Sequence, residues 1–153
     1  METRKSMIKN LNLAHWVTQG KFSGSKTAKK KNLVALSFDD GPHYRNTLRV
    51  INTLNKNNAQ ATFFWIAEFA TNLAKHHPII LKKIVSEIKK NNHEIGLHAL
   101  YDFKPTFISR LYGHFSKHQF KKAKDIIENL SGTKINLYRP HNAQLGSSIV
   151  FAK

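Results

Sequence analysis

The chain has 153 residues, with 25 Lys and Arg against nine Asp and Glu, a formal charge of +16 and no cysteine. That length suits one domain with a real hydrophobic core and argues against two independent ones. The missing thiols exclude a disulfide framework and a thiolate metal site, so any metal must be held by His and carboxylates. The basic balance favours an anionic partner such as nucleic acid, a membrane surface or an acidic glycan, and says nothing about fold.

The opening "METRKSMIKNLNLAHWVTQG" lacks the continuous apolar stretch of a secretory leader, and no segment approaches the roughly 18 apolar residues of a membrane span. A soluble, cytoplasmic chain is the default expectation. Residues 1–31, ending in "KFSGSKTAKKK", read as a basic polar tail, and residues 32–153 as the globular part.

"LVALSF" (33–38) is a continuous apolar run of strand length, of the kind buried on both faces of a parallel sheet. In "YRNTLRVINTLNKNN", Tyr44, Leu48, Ile51 and Leu54 recur at helical spacing, and Asn57-Asn58 ends the helix. "ATFFWI" (61–66) predicts a second buried strand. Pro78 suits the first turn of a helix whose Ile80, Ile84 and Ile88 share a face. "HHP" before it reads as linker. "HEIGLHA" (93–99) is a third strand; Ser116 and Gln119 match a capping box opening a helix to about Leu130, stopped by Ser131-Gly132; "KINLYRP" (134–140) is a fourth strand.

Strands alternating with helices imply right-handed βαβ units, an α/β fold with a parallel sheet or barrel. In such folds the chemistry collects at the carboxyl ends of the strands. Reading only those ends gives Asp39-Asp40-Gly41-Pro42, then His98 with Asp102, then Arg139-Pro140-His141. Adjacent side chains at a strand end point in different directions, so Asp39 and Asp40 cannot do the same job.

"SFDDGP", "ATFF", "HEIGLHA" and "YRP", in this order and at these separations, resemble the polysaccharide deacetylase family, the NodB-like carbohydrate esterases. The resemblance runs from about Leu33 to Pro140. It implies a partial or distorted (β/α) barrel and metal-dependent hydrolysis of N- or O-acetyl groups on a polysaccharide, with the acetylated glycan as partner. Carried over by position, it makes Asp39 the general base, Arg139 the cation that holds that base, and Asp40 and His98 metal ligands. The implied ion is divalent, zinc first, with cobalt, nickel or manganese as alternatives.

Departures from the family pattern are specific. A second histidine is usual four residues after the first, where this chain has Asp102, a carboxylate that can also ligate a divalent ion. Asn92 stands where glycine is usual, and "HNAQLG" replaces the residues that shape the acetyl pocket. The family continues through further strands and a late histidine acting as general acid. This chain ends at "SSIVFAK", which reads as the first turns of a new helix, so a truncated, C-terminally incomplete domain with impaired turnover is expected.

Plainer readings compete at each position. Aspartates suit turns and helix caps, a lone histidine is more often an ordinary hydrogen-bonded one, and Arg139 could be one more surface cation. It is the linkage of three strand ends that lifts them. His114 and His118 have ligand spacing, but a helix starting at Ser116 separates their faces. Two other functional classes stay open: a non-catalytic relative that binds metal and glycan, and a basic nucleic-acid-binding protein. The second lacks a recognition motif and aromatic platforms among its lysines.

Overall fold

The computed structural model describes residues 34–102, 117–139 and 150–151. The basic tail, the Ser116 capping box, His114, Pro140 and His141 lie outside the described residues. The elements, in chain order, are β1 (Leu36–Gly41), α1 (Asn46–Lys56), β2 (Ala61–Ile66), α2 (Ala67–His76), α3 (Pro78–Lys90), β3 (Glu94–Ala99), α4 (Lys117–Ser131), β4 (Leu137–Tyr138) and β5 (Val150–Phe151).

The sheet runs β1-β2-β3-β4-β5. The first four strands are parallel, and β5 is antiparallel to β4. Consecutive parallel strands lying side by side are singly wound, as in a barrel; a doubly wound sheet would reverse its order part-way. The packing agrees. Alternation puts Phe63 and Trp65 of β2 on one face and Phe64 and Ile66 on the other. Phe63 and Trp65 join Ile95 and Leu97 of β3 in one core cluster with Ile51 of α1, Leu73 of α2, Ile84 of α3 and Ile127 of α4. The helices therefore cover one face of the sheet, and Phe64 and Ile66 are fully buried outside that cluster.

Local chemistry explains how each helix hands the chain to the next strand. Asn58 after α1 and Asn92 after α3 have φ of 49° and 56°, the left-handed region that asparagine tolerates better than most residues. Beyond each, an N–H reaches back to the last helical turn, Ala59 to the Leu54 carbonyl at 2.9 Å and His93 to Ile88 at 3.0 Å. Asn92 thus does in this chain what a glycine does at such a helix end. Gly132 (φ 58°) closes α4, its N–H bonding the Glu128 carbonyl at 2.8 Å.

Four expectations need correction. β1 starts three residues later than the apolar run and is not buried on both faces: Leu36 and Phe38 pack on the core while Ser37 and Asp39 stay exposed, because β1 has β2 as its one lateral neighbour among the described residues. Tyr44 is exposed ahead of α1, and Thr47 takes the buried position instead. Helix α2 was not anticipated; it follows β2 with no loop, burying the small residues Ala67 and Ala70 with Leu73. Finally, Val150 and Phe151 are not helical but pair with Tyr138 and Leu137, as β-branched and aromatic residues favour.

Candidate active site

Both strands that carry the paired acidic and histidine residues are irregular where those residues sit. Between β1 and β2 the register steps from Phe38↔Phe63 to Gly41↔Trp65, so β1 holds one extra residue across Asp39-Asp40. Between β2 and β3 it steps from Trp65↔Leu97 to Ile66↔Ala99, and the extra residue is His98. A bulge re-aims the side chains around it. Asp40 also has φ of 60°, a left-handed conformation that costs a non-glycine residue roughly 1–2 kcal/mol. Together these turn two neighbouring carboxylates to different partners.

Asp39 goes to Arg139. The guanidinium Nη1 donates to Asp39 Oδ1 at 2.7 Å, a short charge-assisted hydrogen bond joining residues 100 apart in sequence. Arg139 is itself held from two sides. Its N–H donates to the Leu97 carbonyl at 2.9 Å, extending the β3–β4 pairing by one residue. Its guanidinium carbon lies 4.3 Å from the centre of the Phe64 ring, in cation–π contact. The ring can lie there because Gly96 stands directly across from Phe64 on β3. A Cβ at Gly96 would come within 2.6 Å of two ring carbons. Gly96, Phe64, Arg139 and Asp39 therefore form one stack from the sheet to the carboxylate.

Asp40 goes to His98. Its Oδ1 lies 3.3 Å from His98 Nε2, and His98 Nδ1 lies 2.8 Å from the Arg139 carbonyl. A carbonyl only accepts, so Nδ1 carries a proton, and Nε2 faces the Asp40 carboxylate. A proton on Nε2 or a cation between the two groups would satisfy both. The separation is long for a charge-assisted N–H···O bond of about 2.7–2.9 Å. It is close to the roughly 3.3 Å that separates two ligands each about 2.0–2.1 Å from a tetrahedral ion. The backbone bond at Nδ1 is the orienting contact that metal-binding histidines characteristically make. His98 is buried and Asp40 open to solvent, so the pair could receive an ion from outside.

Asp102, expected as a third ligand, does not complete this pair. Among the described residues no three His, Asp or Glu side chains form a group that could hold an ion. The chain leaving β3 is drawn to the start of α2 instead: the Glu68 N–H donates to the Leu100 carbonyl at 3.0 Å, and the Asp102 N–H to the Glu68 carboxylate at 3.3 Å. Reading strand ends in sequence also passed over Phe64, Gly96 and Glu68. The first two were visible in "ATFF" and "HEIG", but only the strand register reveals that they face each other.

The geometry and the matching sequence now meet. Residues 26–151 match the family model described as Polysaccharide deacetylase. The chain belongs to the polysaccharide deacetylase family. It is 30% identical over 125 residues to a peptidoglycan-N-acetylglucosamine deacetylase of Bacillus cereus, an alignment covering 82% of this chain and 41% of that protein. Among solved structures it resembles a polysaccharide deacetylase from Bacillus cereus, with TM-score 0.52, 28% identity and coverage of 69% of this chain and 46% of the other. It also resembles a family 4 acetyl xylan esterase from Clostridium thermocellum in complex with a cobalt ion, with TM-score 0.50, 27% identity and coverage of 68% and 46%. The chain spans less than half the length of those relatives.

Proposed function

We propose that the strand-end cluster is a hydrolytic site that removes acetyl groups from an acetylated glycan, with Asp39 as general base and Asp40 and His98 as ligands of a divalent ion. The observation that carries the reading is the division of labour between adjacent aspartates, one paired with a cation and the other with a buried, tautomer-fixed histidine. When bound, the ion would polarise the acetyl carbonyl and make its water acidic enough to be deprotonated near neutrality. The rest falls to the chain's own groups. Asp39 accepts the proton of the water whose oxygen attacks the carbonyl carbon, the bond from that carbon to the sugar nitrogen or oxygen breaks, and the leaving atom takes up the proton that Asp39 accepted. Arg139 keeps one Asp39 oxygen engaged and fixes where the other points. The Nδ1 bond to the Arg139 carbonyl keeps the His98 Nε2 lone pair available for the ion. Asp102 remains a candidate third ligand, which would require the 100–102 segment to leave Glu68.

The experiment is acetate release from an oligomer of N-acetylglucosamine, with zinc and with cobalt, set beside metal binding by calorimetry. The reading expects metal-dependent acetate, lost on chelation. For Asp39→Asn, turnover should fall by a factor of about 10²–10⁴ with metal affinity retained, whereas His98→Ala should lose the metal. Metal and oligomer binding without acetate would favour the non-catalytic relative. Among the described residues nothing is specific to the nucleic-acid reading: Lys82, Lys83 and Lys90 lie exposed on α3, away from buried Leu81, Ile84 and Ile88, as a solvated helix face does, and Lys89 Nζ donates to the Gly132 carbonyl at 3.1 Å.

A further inference from the structure

Asp40 holds a left-handed backbone conformation, which a non-glycine residue keeps only where its surroundings enforce it. Part of that enforcement comes from β2, the one strand beside β1 among the described residues. It acts on both sides of the extra residue. Before it, Phe38 pairs with Phe63 in the ladder, and their rings stack with centroids 5.3 Å apart and planes at 21°. After it, the ladder resumes at Gly41 and Trp65. There the fit is closer. A Cβ on Gly41 would come within 3.3 Å of the indole Cδ1, tighter than an ordinary van der Waals contact, and 3.6 Å from Nε1, so the pyrrole edge lies against the backbone of residue 41. Gly41 does not owe its identity to a positive φ, which among the described glycines belongs to Gly132. It is the indole that leaves no room for a side chain there.

Trp65 is fully buried, and its Nε1–H has no hydrogen-bond partner among the described residues. An aliphatic residue would fill this part of the core without stranding a donor, which costs stability. A buried polar group left unpaired in a folded protein calls for an explanation. Here the explanation is shape: a flat, rigid edge under the peptide that follows Asp40. We propose that Trp65 is a positioning residue for the site, one that bears on Gly41, holds the Asp39-Asp40 bulge in register and so keeps the Asp40 carboxylate turned towards His98 Nε2, 3.3 Å away. Two successive rings of β2 then support the two aspartates. Phe64 acts through the guanidinium that meets Asp39, and Trp65 through the backbone beside Asp40. The inference rests on the proposed function for the ion that Asp40 would hold, but the placing of Asp40 can be read without it.

The test is a double-mutant cycle on zinc affinity, measured by calorimetry at a temperature where each variant is folded. Gly41→Ala and Trp65→Leu should each weaken zinc binding about tenfold, as loss of an outer support of a metal ligand does. The double variant should lose no more than the weaker of the two, because both changes act on one contact. Single variants with wild-type affinity, or losses that multiply in the double variant, would overturn the proposal. A second measurement needs no ion. In the metal-free chain, the three-bond HN–Hα coupling of Asp40, which reports φ, should leave its left-handed value in Gly41→Ala and in Trp65→Leu; a wild-type coupling in either would overturn the positioning role, and Gly41→Ala decides it should Trp65→Leu fail to fold. In the unmutated chain, zinc should shift the Trp65 indole N–H resonance together with the Asp40 amide, and an indole that stays still while zinc binds counts against the proposal. Should the wild type bind no zinc, the ion reading falls and the coupling alone decides on Trp65.

Discussion

Asp39 and Asp40 show how little separates two environments at the level of single residues. They share a peptide bond, yet one extra residue in β1 and a positive φ at Asp40 send them to partners just after β4 and on β3 respectively. The Asp39 partner depends on an absent side chain. Gly96→Ala would push a methyl group into the Phe64 ring, which has a fully buried position and no free direction to move. Overpacking of this kind typically costs about 1–3 kcal/mol, so urea unfolding should show a lowered midpoint for Gly96→Ala. Because the displaced ring is the one beneath the Arg139 guanidinium, acetate release should fall further than stability alone explains at temperatures where the variant is fully folded. Replacing Arg139 by Lys keeps the charge but loses the planar group that both stacks on Phe64 and reaches Asp39. Turnover for Arg139→Lys should drop with metal affinity unchanged, measured by the same acetate and calorimetric assays.

At the scale of elements, helix ends feed the strands that carry the site. The doubled asparagines at 57–58 and 91–92 turn the chain within two residues, so β2 and β3 begin at once and hold the register on which Gly96 and Phe64 meet. Since Asn92 is in the left-handed region, Asn92→Ala should cost about 1–2 kcal/mol, whereas Asn92→Gly should cost little or nothing, as read from the two denaturation midpoints. Helix α2 has a different role. Its first turn holds Glu68, whose backbone N–H donates to the Leu100 carbonyl and whose carboxylate accepts the Asp102 N–H, so it sets where the backbone of the segment after β3 runs. Glu68→Gln keeps the shape and weakens the acceptor; if Asp102 is to reach the ion, metal affinity should rise in that variant.

Across the whole molecule, the two ends of the parallel strands do different work. His98 lies towards the carboxyl end of β3, beside Asp40 in the candidate site, while His93 lies five residues earlier and ties the other end together. His93 Nδ1 accepts the Ala61 N–H at the start of β2 at 3.3 Å, and its Nε2 donates to Asn55 of α1 at 3.0 Å. Burial lowers the His93 pKa from its ordinary 6.5. A depressed folded-state pKa contributes stability that is fully present above the unfolded value and is lost as pH falls from 6.5 towards the folded one, because in that window the unfolded chain binds more protons. Protonating Nδ1 would also break its bond to Ala61. Urea midpoints should therefore fall from pH 7.5 to pH 5, and His93→Gln should flatten part of that slope. The parallel strands and three of the four helices were legible in the sequence, because buried strands read as apolar runs and amphipathic helices as period-3.6 stripes. Helix α2 was not, since its buried positions are mostly alanine and it begins where a strand ends. Of the site, the residue types and their order along the strand ends were written in "SFDDGP", "HEIGLHA" and "YRP". Local pattern and order along the chain were enough for the family, for an α/β fold of parallel strands, and for the strand ends at which carboxylates, a histidine and an arginine gather. Which aspartate meets which partner, the tie from the Asp102 N–H to α2, and the room a glycine on one strand makes for the ring supporting an arginine from another came with the folded structure. Those depend on register, bulges and contacts between residues as many as 100 positions apart, which no local pattern contains.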